Sequence, residues 1–139
     1  MKKIKVIQIG VGHDHAGDTI NSLKRQTDLF DLAGYVMLEG EEIMFEAYKS
    51  SYNGVEKLSL SDALSIHDLD AAVIETEDCN LTKYAYIMAE RGLAIQMDKP
   101  GGQDEIEFDR LISYVKSNDL VFHMGYTAII LLSEKRSKW

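Results

Sequence analysis

Cysteine, proline and long apolar runs are almost absent from this chain of 139 residues. Cys79 is the only cysteine, so no disulfide can form within the chain and nothing points to an oxidising compartment. No run approaches the roughly 20 apolar residues of a membrane span. The first residues enter a strand-like run directly and lack the apolar segment of a signal peptide. These absences predict a soluble cytoplasmic protein.

Positive charge is also in deficit. The chain has 15 lysines and arginines against 23 aspartates and glutamates, a formal net charge of −8. Nucleic acids and anionic membranes are bound by concentrated basic surfaces, so the composition argues against both as partners. A small anionic ligand is not excluded, because a local pocket can hold it. The length is that of a single domain with one core.

Short apolar runs alternate with longer amphipathic segments along the chain. The runs 4–9, 32–38, 71–74, 94–97 and 120–124 predict strands, and the segments 16–26, 41–51, 61–66, 81–91 and 104–115 predict helices. Asp104 with Glu107 matches a capping box, Ser61 and Asn80 are suitable N-caps, and Gly92 suits a helix C-terminus. Such alternation predicts a doubly wound α/β fold with a parallel sheet, helices on both faces and ligands at the C-terminal ends of the strands.

The turn after the first predicted strand is rich in glycine and histidine. Gly10 and Gly12 match the first two positions of the G-x-G-x-x-G fingerprint of Rossmann folds, whereas His15 occupies the third. The first glycine permits the tight turn, and the second lets a pyrophosphate approach the backbone beside the next helix. A purely structural turn is the alternative, but the position after the first strand favours dinucleotide binding, with His13 and His15 near the phosphates. Because His15 replaces the glycine that allows close packing, we expect a slightly displaced helix.

Two histidines flank Asp14 in this loop, an arrangement that suggests a metal site. A stable site usually takes three or four ligands. No further cluster of cysteine or histidine completes this one in the sequence, so we predict no metal.

The end of the second predicted strand carries an acidic run. A Rossmann domain that binds NAD usually offers a carboxylate to the adenosine ribose at this point. Glu39 is the candidate, although Met37 or Leu38 could occupy the position. The acidic run and the lack of nearby lysine or arginine disfavour a 2′-phosphate, so NAD is favoured over NADP.

The segment 70–102 is the most specific part of the sequence. A predicted strand ends at Thr76, a helix follows, and the next strand runs directly into Asp98-Lys99-Pro100. Together with the glycine loop, this arrangement resembles the Gfo/Idh/MocA family of oxidoreductases, relatives of glucose–fructose oxidoreductase and inositol dehydrogenase. The resemblance covers about residues 3–126. The family's hallmark at this point is Glu-Lys-Pro.

The resemblance implies an N-terminal NAD(P)-binding Rossmann domain with Lys99 on the nicotinamide side of the cleft. There the ammonium would hydrogen-bond a substrate hydroxyl and stabilise the developing alkoxide during hydride transfer. Thr76, Asp98 and Pro100 would lie in the same cofactor pocket, and the Lys99–Pro100 peptide bond is expected to be cis. The alternative is an exposed lysine in an ordinary turn.

Several residues depart from the family pattern. Asp98 is one methylene shorter than the family's glutamate, and Leu81 replaces the histidine that opens the following helix. Glu77 stands in a proline position, where its charge should weaken pyrophosphate binding unless it points away. After Tyr126 the family continues through an arginine-bearing segment into an α+β substrate domain, which supplies the Asp and His for proton transfer. Neither follows here, so we expect residues 1–126 to form the NAD(P)-binding domain and 127–139 an atypical tail.

These observations favour one function and leave two others open. The chain is expected to be the cofactor domain of an oxidoreductase acting on sugars or polyols, truncated and catalytically incomplete without a second domain. It could instead be a non-catalytic nucleotide-binding or sensing module, or the inactive remnant of a split gene. The apolar stretch 128–132 either packs on the domain or is exposed and drives self-association into a homo-oligomer.

Overall fold

The computed structural model describes residues 2–125, which form a parallel sheet with helices on both faces. The strands are β1 (Ile4–Ile9), β2 (Phe30–Val36), β3 (Lys57–Leu58), β4 (Ala71–Ile74), β5 (Ala94–Met97) and β6 (Phe122–Met124). Their order is β3-β2-β1-β4-β5-β6, and every pairing is parallel. This is the order of the Rossmann fold, so the predicted fold class is confirmed.

Four α-helices and two 3₁₀ helices connect these strands within residues 2–125. The α-helices are α1 (Ala16–Arg25), α2 (Leu60–Leu64), α3 (Leu81–Glu90) and α4 (Glu105–Ser117), and the 3₁₀ helices are Glu46–Tyr52 and Asp78–Asn80. The predicted strand at 4–9 and the strands at 71–74 and 94–97 have the expected bounds. The second strand begins and ends two residues earlier than predicted, and the last is two residues shorter.

The sheet is buried on both sides, and successive residues of a strand enter different clusters. Ile7 and Ile74 share one buried cluster with Leu81 of α3, whereas Val6 shares another with Leu23 of α1. Burial of one such side chain contributes about 1.5–3 kcal/mol. The near-continuous apolar strands are therefore held from both faces, as parallel sheets require.

The strand order reverses at β1, which lies between β2 and β4. The chain builds one half of the sheet outward from β1 and then returns to start the other half with β4. The loops that follow β1 and β4 therefore leave the same edge of the sheet in opposite directions. A crevice between such loops is where doubly wound sheets bind ligands.

The predicted helix at residues 41–51 is wrong. Residues 41–45 form no helix, and a 3₁₀ helix occupies Glu46–Tyr52. The Glu41 N–H donates to the Leu38 carbonyl in a tight turn, and the Glu41 carboxylate accepts from the N–H groups of Leu38 and Val11. Phe45 is then extended, with φ −126° and ψ 138°. Side-chain contact with the glycine loop, which local periodicity cannot reveal, decides the conformation of this segment.

The helix ends agree with the sequence in part. Asp104 caps α4 as predicted by accepting two backbone N–H groups, and Gly92 follows α3 with φ +77°. Helix α2 is capped by Ser59 and not by Ser61, because α2 begins earlier than predicted. Asn80 precedes α3 but makes no side-chain capping hydrogen bond.

No helix within residues 2–125 is long and apolar enough to cross a membrane. The boundary at Tyr126 and the tail 127–139, with its expected packing or self-association, lie outside the described residues.

Candidate functional site

The glycine loop, residues 10–15, lies at the C-terminal edge of the sheet. Hydrogen bonds to the ends of the two neighbouring strands, β2 and β4, hold it there. Gly10 donates its N–H to the Val36 carbonyl at 2.8 Å, and His13 donates to the Glu75 carbonyl at 2.9 Å. Gly10 has φ +92°, and a Cβ there would lie 2.6 Å from the backbone Cα of Thr76. Only glycine fits this position, because both the backbone conformation and the space exclude a side chain.

Helix α1 begins immediately after this loop. His15 is its N-cap residue but makes no side-chain capping hydrogen bond. The Ala16 N–H donates instead to the His13 carbonyl at 3.1 Å. The close-packing glycine is Gly17, since a Cβ there would collide with the ring of Tyr48. The Tyr48 hydroxyl donates to the Asp18 carboxylate at 2.6 Å. The contact at Gly17 is with the 3₁₀ helix Glu46–Tyr52, and so differs from the helix–strand packing that the third fingerprint glycine allows.

A buried carboxylate, Glu41, sits on the glycine loop. Its Oε2 accepts from the Val11 N–H at 2.8 Å and from the Leu38 N–H at 3.2 Å, and its Oε1 accepts from the Thr76 hydroxyl. The Glu41 side chain thus joins the ends of β1, β2 and β4. Backbone N–H groups of such a loop are the donors that phosphate oxygens use in Rossmann domains. The Val11 N–H of the glycine loop therefore already binds an anionic group, the carboxylate of Glu41 in the same chain.

The sequence did not single out Glu41. The predicted ribose ligand, Glu39, is exposed, whereas Glu41 two residues later is 8% exposed. An acidic run contains no local feature that tells which carboxylate turns inward. Two of its three donors, Val11 and Thr76, come from the loops after β1 and β4, which are distant in sequence.

Gly12 faces acidic side chains. A Cβ on Gly12 would lie 2.9 Å from Glu77 Cγ and 3.2 Å from Glu41 Oε1. Glu77 is exposed and Glu41 is buried. Glu77, whose charge was expected near the cleft, thus lies beside Gly12, and Glu41 adds a second carboxylate there.

His13 lies where the loops after β1, β4 and β5 meet. Its Nε2 is 2.8 Å from the Lys99 carbonyl oxygen, and its Nδ1 is 3.0 Å from the His15 N–H nitrogen. A carbonyl only accepts, so Nε2 carries a proton in this contact, whereas Nδ1 is approached both by the His15 N–H and by Asp14 Oδ1 at 2.9 Å. Nδ1 also lies 3.8 Å from Glu75 Oε2 and 3.7 Å from Asp98 Oδ2.

The Asp98-Lys99-Pro100 turn follows β5 and closes the same edge. Asp98 is fully buried, and its Oδ1 accepts from the Lys99 N–H at 2.9 Å and lies 3.1 Å from His15 Nδ1. The Lys99 side chain is exposed, and the Lys99–Pro100 peptide bond is cis, as the family resemblance implied. The lysine backbone is therefore held on both sides while its side chain remains at the surface.

Glu75 is a buried acid that was not identified as a site residue from the sequence. Its Oε1 accepts from the Thr19 hydroxyl at 2.7 Å. Burial and the neighbouring Asp98 raise the pKa of Glu75 well above its ordinary value, because both disfavour a second negative charge. Its position directly after β4 was the available clue, since polar residues at the carboxyl ends of parallel strands line ligand crevices.

Eight of the nine predicted site residues thus lie in the loops that follow β1, β4 and β5; these are Gly10, Gly12, His13, His15, Thr76, Asp98, Lys99 and Pro100. Glu39 follows β2 and is exposed. Glu41 and Glu75 are the two buried acids that the structure adds to the set.

Comparison with known proteins shows the fold. No family model matches the chain, and no curated protein matches it. Among solved structures, UDP-N-acetylglucosamine 3-dehydrogenase GnnA from Acidithiobacillus ferrooxidans is 24% identical with a TM-score of 0.69, covering 90% of this chain and 39% of that one. Myo-inositol 2-dehydrogenase from Lactobacillus plantarum is 21% identical with a TM-score of 0.72, covering 89% and 36%.

A third neighbour was solved with a dinucleotide. GenD2 from gentamicin A biosynthesis, in complex with NAD, is 17% identical with a TM-score of 0.72, covering 90% of this chain and 35% of that one. The chain thus spans 35–39% of the length of these three neighbours. Its fold is shared with oxidoreductases that include an inositol dehydrogenase, the kind of enzyme to which the sequence resemblance pointed.

Proposed function

We propose that this domain binds a nicotinamide dinucleotide as the cofactor domain of a Gfo/Idh/MocA-type oxidoreductase. The observation that carries the proposal is the loop from Gly10 to His15, which leaves β1 at the switch point and enters α1 directly. Loops at this place bind pyrophosphate through backbone N–H groups. The NAD complex of GenD2, a neighbour in fold, supports the class of cofactor.

Binding requires a rearrangement of two acidic side chains. A pyrophosphate oxygen would compete with the Glu41 carboxylate for the Val11 N–H. The Glu41 side chain must therefore rotate away before the phosphates reach the loop. Glu77 is exposed, so it can turn toward solvent at little cost.

NAD(H) is the favoured form of the cofactor. Residues 36–48 contain no lysine or arginine, and Glu41 and Glu77 lie beside Gly12. A 2′-phosphate would add about two negative charges to an acidic cleft, where like charges repel. We therefore expect NADPH to bind more weakly than NADH.

Lys99 is assigned to the reacting end of the cofactor. Its exposed side chain makes no ion pair with any of residues 2–125. An ammonium at this place can hydrogen-bond a substrate hydroxyl and stabilise the alkoxide that develops as hydride leaves. The substrate class is a sugar or polyol, in line with the myo-inositol 2-dehydrogenase among the neighbours, and a second domain would supply the remaining substrate contacts.

A nucleotide-sensing module without catalysis is the second candidate. The observation that favours it is the occupation of the loop by Glu41, because an internal competitor lowers affinity for the phosphates. The two candidates differ in whether Lys99 is needed for hydride transfer, and both require dinucleotide binding at Gly12.

A calorimetric titration of the chain with NADH and then NADPH tests the proposal. We expect one-to-one NADH binding, NADPH binding at least about tenfold weaker, and loss of both in Gly12→Val. The added Cβ would lie 2.9 Å from the exposed Glu77 side chain and 3.2 Å from the buried Glu41 carboxylate and would fill the space that the pyrophosphate needs, so the variant should lose some stability, and thermal unfolding checks that it is folded. Unchanged NADH binding by a folded Gly12→Val protein would contradict this site.

A further inference from the structure

Three buried side chains converge beneath the glycine loop. His13 follows β1, Glu75 follows β4 and Asp98 follows β5. One ligand atom from each lies within 4.8 Å of the other two, and the three side chains are 4%, 0% and 0% exposed. The group therefore joins the loops of three separate strands in a closed environment.

Two carboxylate oxygens in this group have no hydrogen-bond partner. They are Glu75 Oε2 and Asp98 Oδ2, both fully buried. The other oxygen of each carboxylate accepts a hydrogen bond: Glu75 Oε1 from the Thr19 hydroxyl, and Asp98 Oδ1 from the Lys99 N–H. These bonds orient the two unpartnered oxygens toward His13. Two buried carboxyl groups side by side are costly unless a shared proton or a cation lies between them, and a metal ion can take the place of that proton.

The imidazole is oriented as a ligand. Its Nε2–H donates to the Lys99 carbonyl, which leaves the Nδ1 lone pair on the side of Glu75 and Asp98. Histidines that bind metals almost always donate their other ring N–H to a carbonyl or carboxylate in this way. The Nδ1 atom would exchange its contacts with the His15 N–H at 3.0 Å and with Asp14 Oδ1 at 2.9 Å for the ion.

We propose that His13, Glu75 and Asp98 bind one divalent transition-metal ion of the Zn²⁺ class. The distances from Nδ1 to the two carboxylate oxygens are 3.8 and 3.7 Å. Ligand bonds of about 2.0–2.2 Å at tetrahedral angles place ligand atoms about 3.3–3.6 Å apart, so a contraction of a few tenths of an ångström closes the site. An imidazole nitrogen favours Zn²⁺ or Co²⁺ over Mg²⁺ or Ca²⁺. The ion would join the three loops that form the cleft.

A competing arrangement uses the loop alone. His13, Asp14 and His15 also place ligand atoms within 4.8 Å of one another, and Asp14 Oδ1 is 2.9 Å from His13 Nδ1. Asp14 is exposed and its side chain is not oriented by the neighbouring strands. The two unpartnered oxygens belong to Glu75 and Asp98, so we assign the ion to the buried set. Variants of Asp14 and Glu75 separate the two arrangements.

Metal titration of the EDTA-treated chain tests the site without any need for cofactor binding. All proteins carry Cys79→Ser, which removes the exposed thiol as a ligand. We expect calorimetry to show one Zn²⁺ bound per chain. Co²⁺ bound at the same site should show the visible absorption of a tetrahedral ion. Glu75→Gln should lose at least about tenfold in affinity. Glutamine keeps the volume and the acceptor for the Thr19 hydroxyl, so the variant should fold.

Two control variants make the result specific. Glu39→Gln removes an exposed charge and should bind Zn²⁺ within about twofold of the parent. Asp14→Asn removes a charge beside His13 but no proposed ligand, so its loss of affinity should be clearly smaller than that of Glu75→Gln. Zn²⁺ should also raise the melting temperature of the parent by more than that of Glu75→Gln at the same Zn²⁺ concentration. No stoichiometric binding by the parent, unchanged affinity in Glu75→Gln, or selective loss in Asp14→Asn would each overturn the proposal.

Discussion

Glu41→Gln should increase the affinity of the domain for NADH. The Glu41 carboxylate occupies the Val11 N–H, which a pyrophosphate oxygen would use, and it places a negative charge beside Gly12. Glutamine has nearly the same shape. Its carbonyl can accept from the N–H groups of Val11 and Leu38, and its amide can donate to the Thr76 hydroxyl oxygen. The substitution therefore removes the charge and keeps the local network.

The magnitude follows from the charges. Two unit charges about 5 Å apart interact by about 3 kcal/mol at an effective dielectric of about 20, and by less than about 1 kcal/mol in bulk water. For a cleft open to solvent we take about 1.4 kcal/mol, which is a tenfold change in Kd. The same substitution should lower the free energy of unfolding by about 1 kcal/mol, because neutral hydrogen bonds replace charge-assisted ones.

Calorimetric titration with NADH at low ionic strength measures this effect, and Glu42→Gln is the matched control. Glu42 lies in the same loop and carries the same charge, but it is exposed. We expect about a tenfold lower Kd for Glu41→Gln and less than about a threefold change for Glu42→Gln. Weaker binding by Glu41→Gln would refute the reasoning, because it would show that the carboxylate contacts the cofactor. Equal gains in both variants would show a general charge effect.

Three further outcomes are expected. Ser59→Ala should lower the free energy of unfolding by about 1 kcal/mol through loss of the α2 cap, whereas Ser61→Ala should change it by less than about 0.5 kcal/mol; urea denaturation of both measures the difference. Because the pKa of Glu75 is raised in the folded state, its burial destabilises the fold as pH rises above the ordinary value of 4.5; the stability of Glu75→Gln relative to the parent, measured in EDTA, should therefore grow with pH from there and level off above the raised pKa, and a pH-independent difference would contradict this. Lys99→Ala should leave NADH affinity within about threefold of the parent while abolishing hydride transfer wherever a complete reaction is assayed, and retained turnover would remove Lys99 from the chemistry.

Local sequence patterns were sufficient for the strands β1, β4 and β5 and for the glycine loop. Buried parallel strands are nearly continuous apolar runs, so β1, β4 and β5 can be predicted from the sequence. Gly10 and Gly12 predict the turn after β1. Asp104 was recognisable as a cap because its partners are the next few amides.

Contacts between distant segments account for what the sequence did not show. The segment after β2 has helical periodicity, yet Glu41 binds backbone groups of β1's loop instead. The assembly of His13, Glu75 and Asp98 depends on the strand order, which brings the ends of β1, β4 and β5 side by side. The expectation of no metal considered only histidine and cysteine, whereas the proposed site adds two carboxylates from other loops.

The most direct test of dinucleotide binding at this loop is amide NMR of the isotope-labelled chain during titration with NADH. The account predicts saturating shifts that are largest at Val11 and Gly12, with a change at Thr76 as its hydroxyl loses Glu41. Saturating shifts confined to other parts of the fold, or none at millimolar NADH in either the parent or Glu41→Gln, would contradict it.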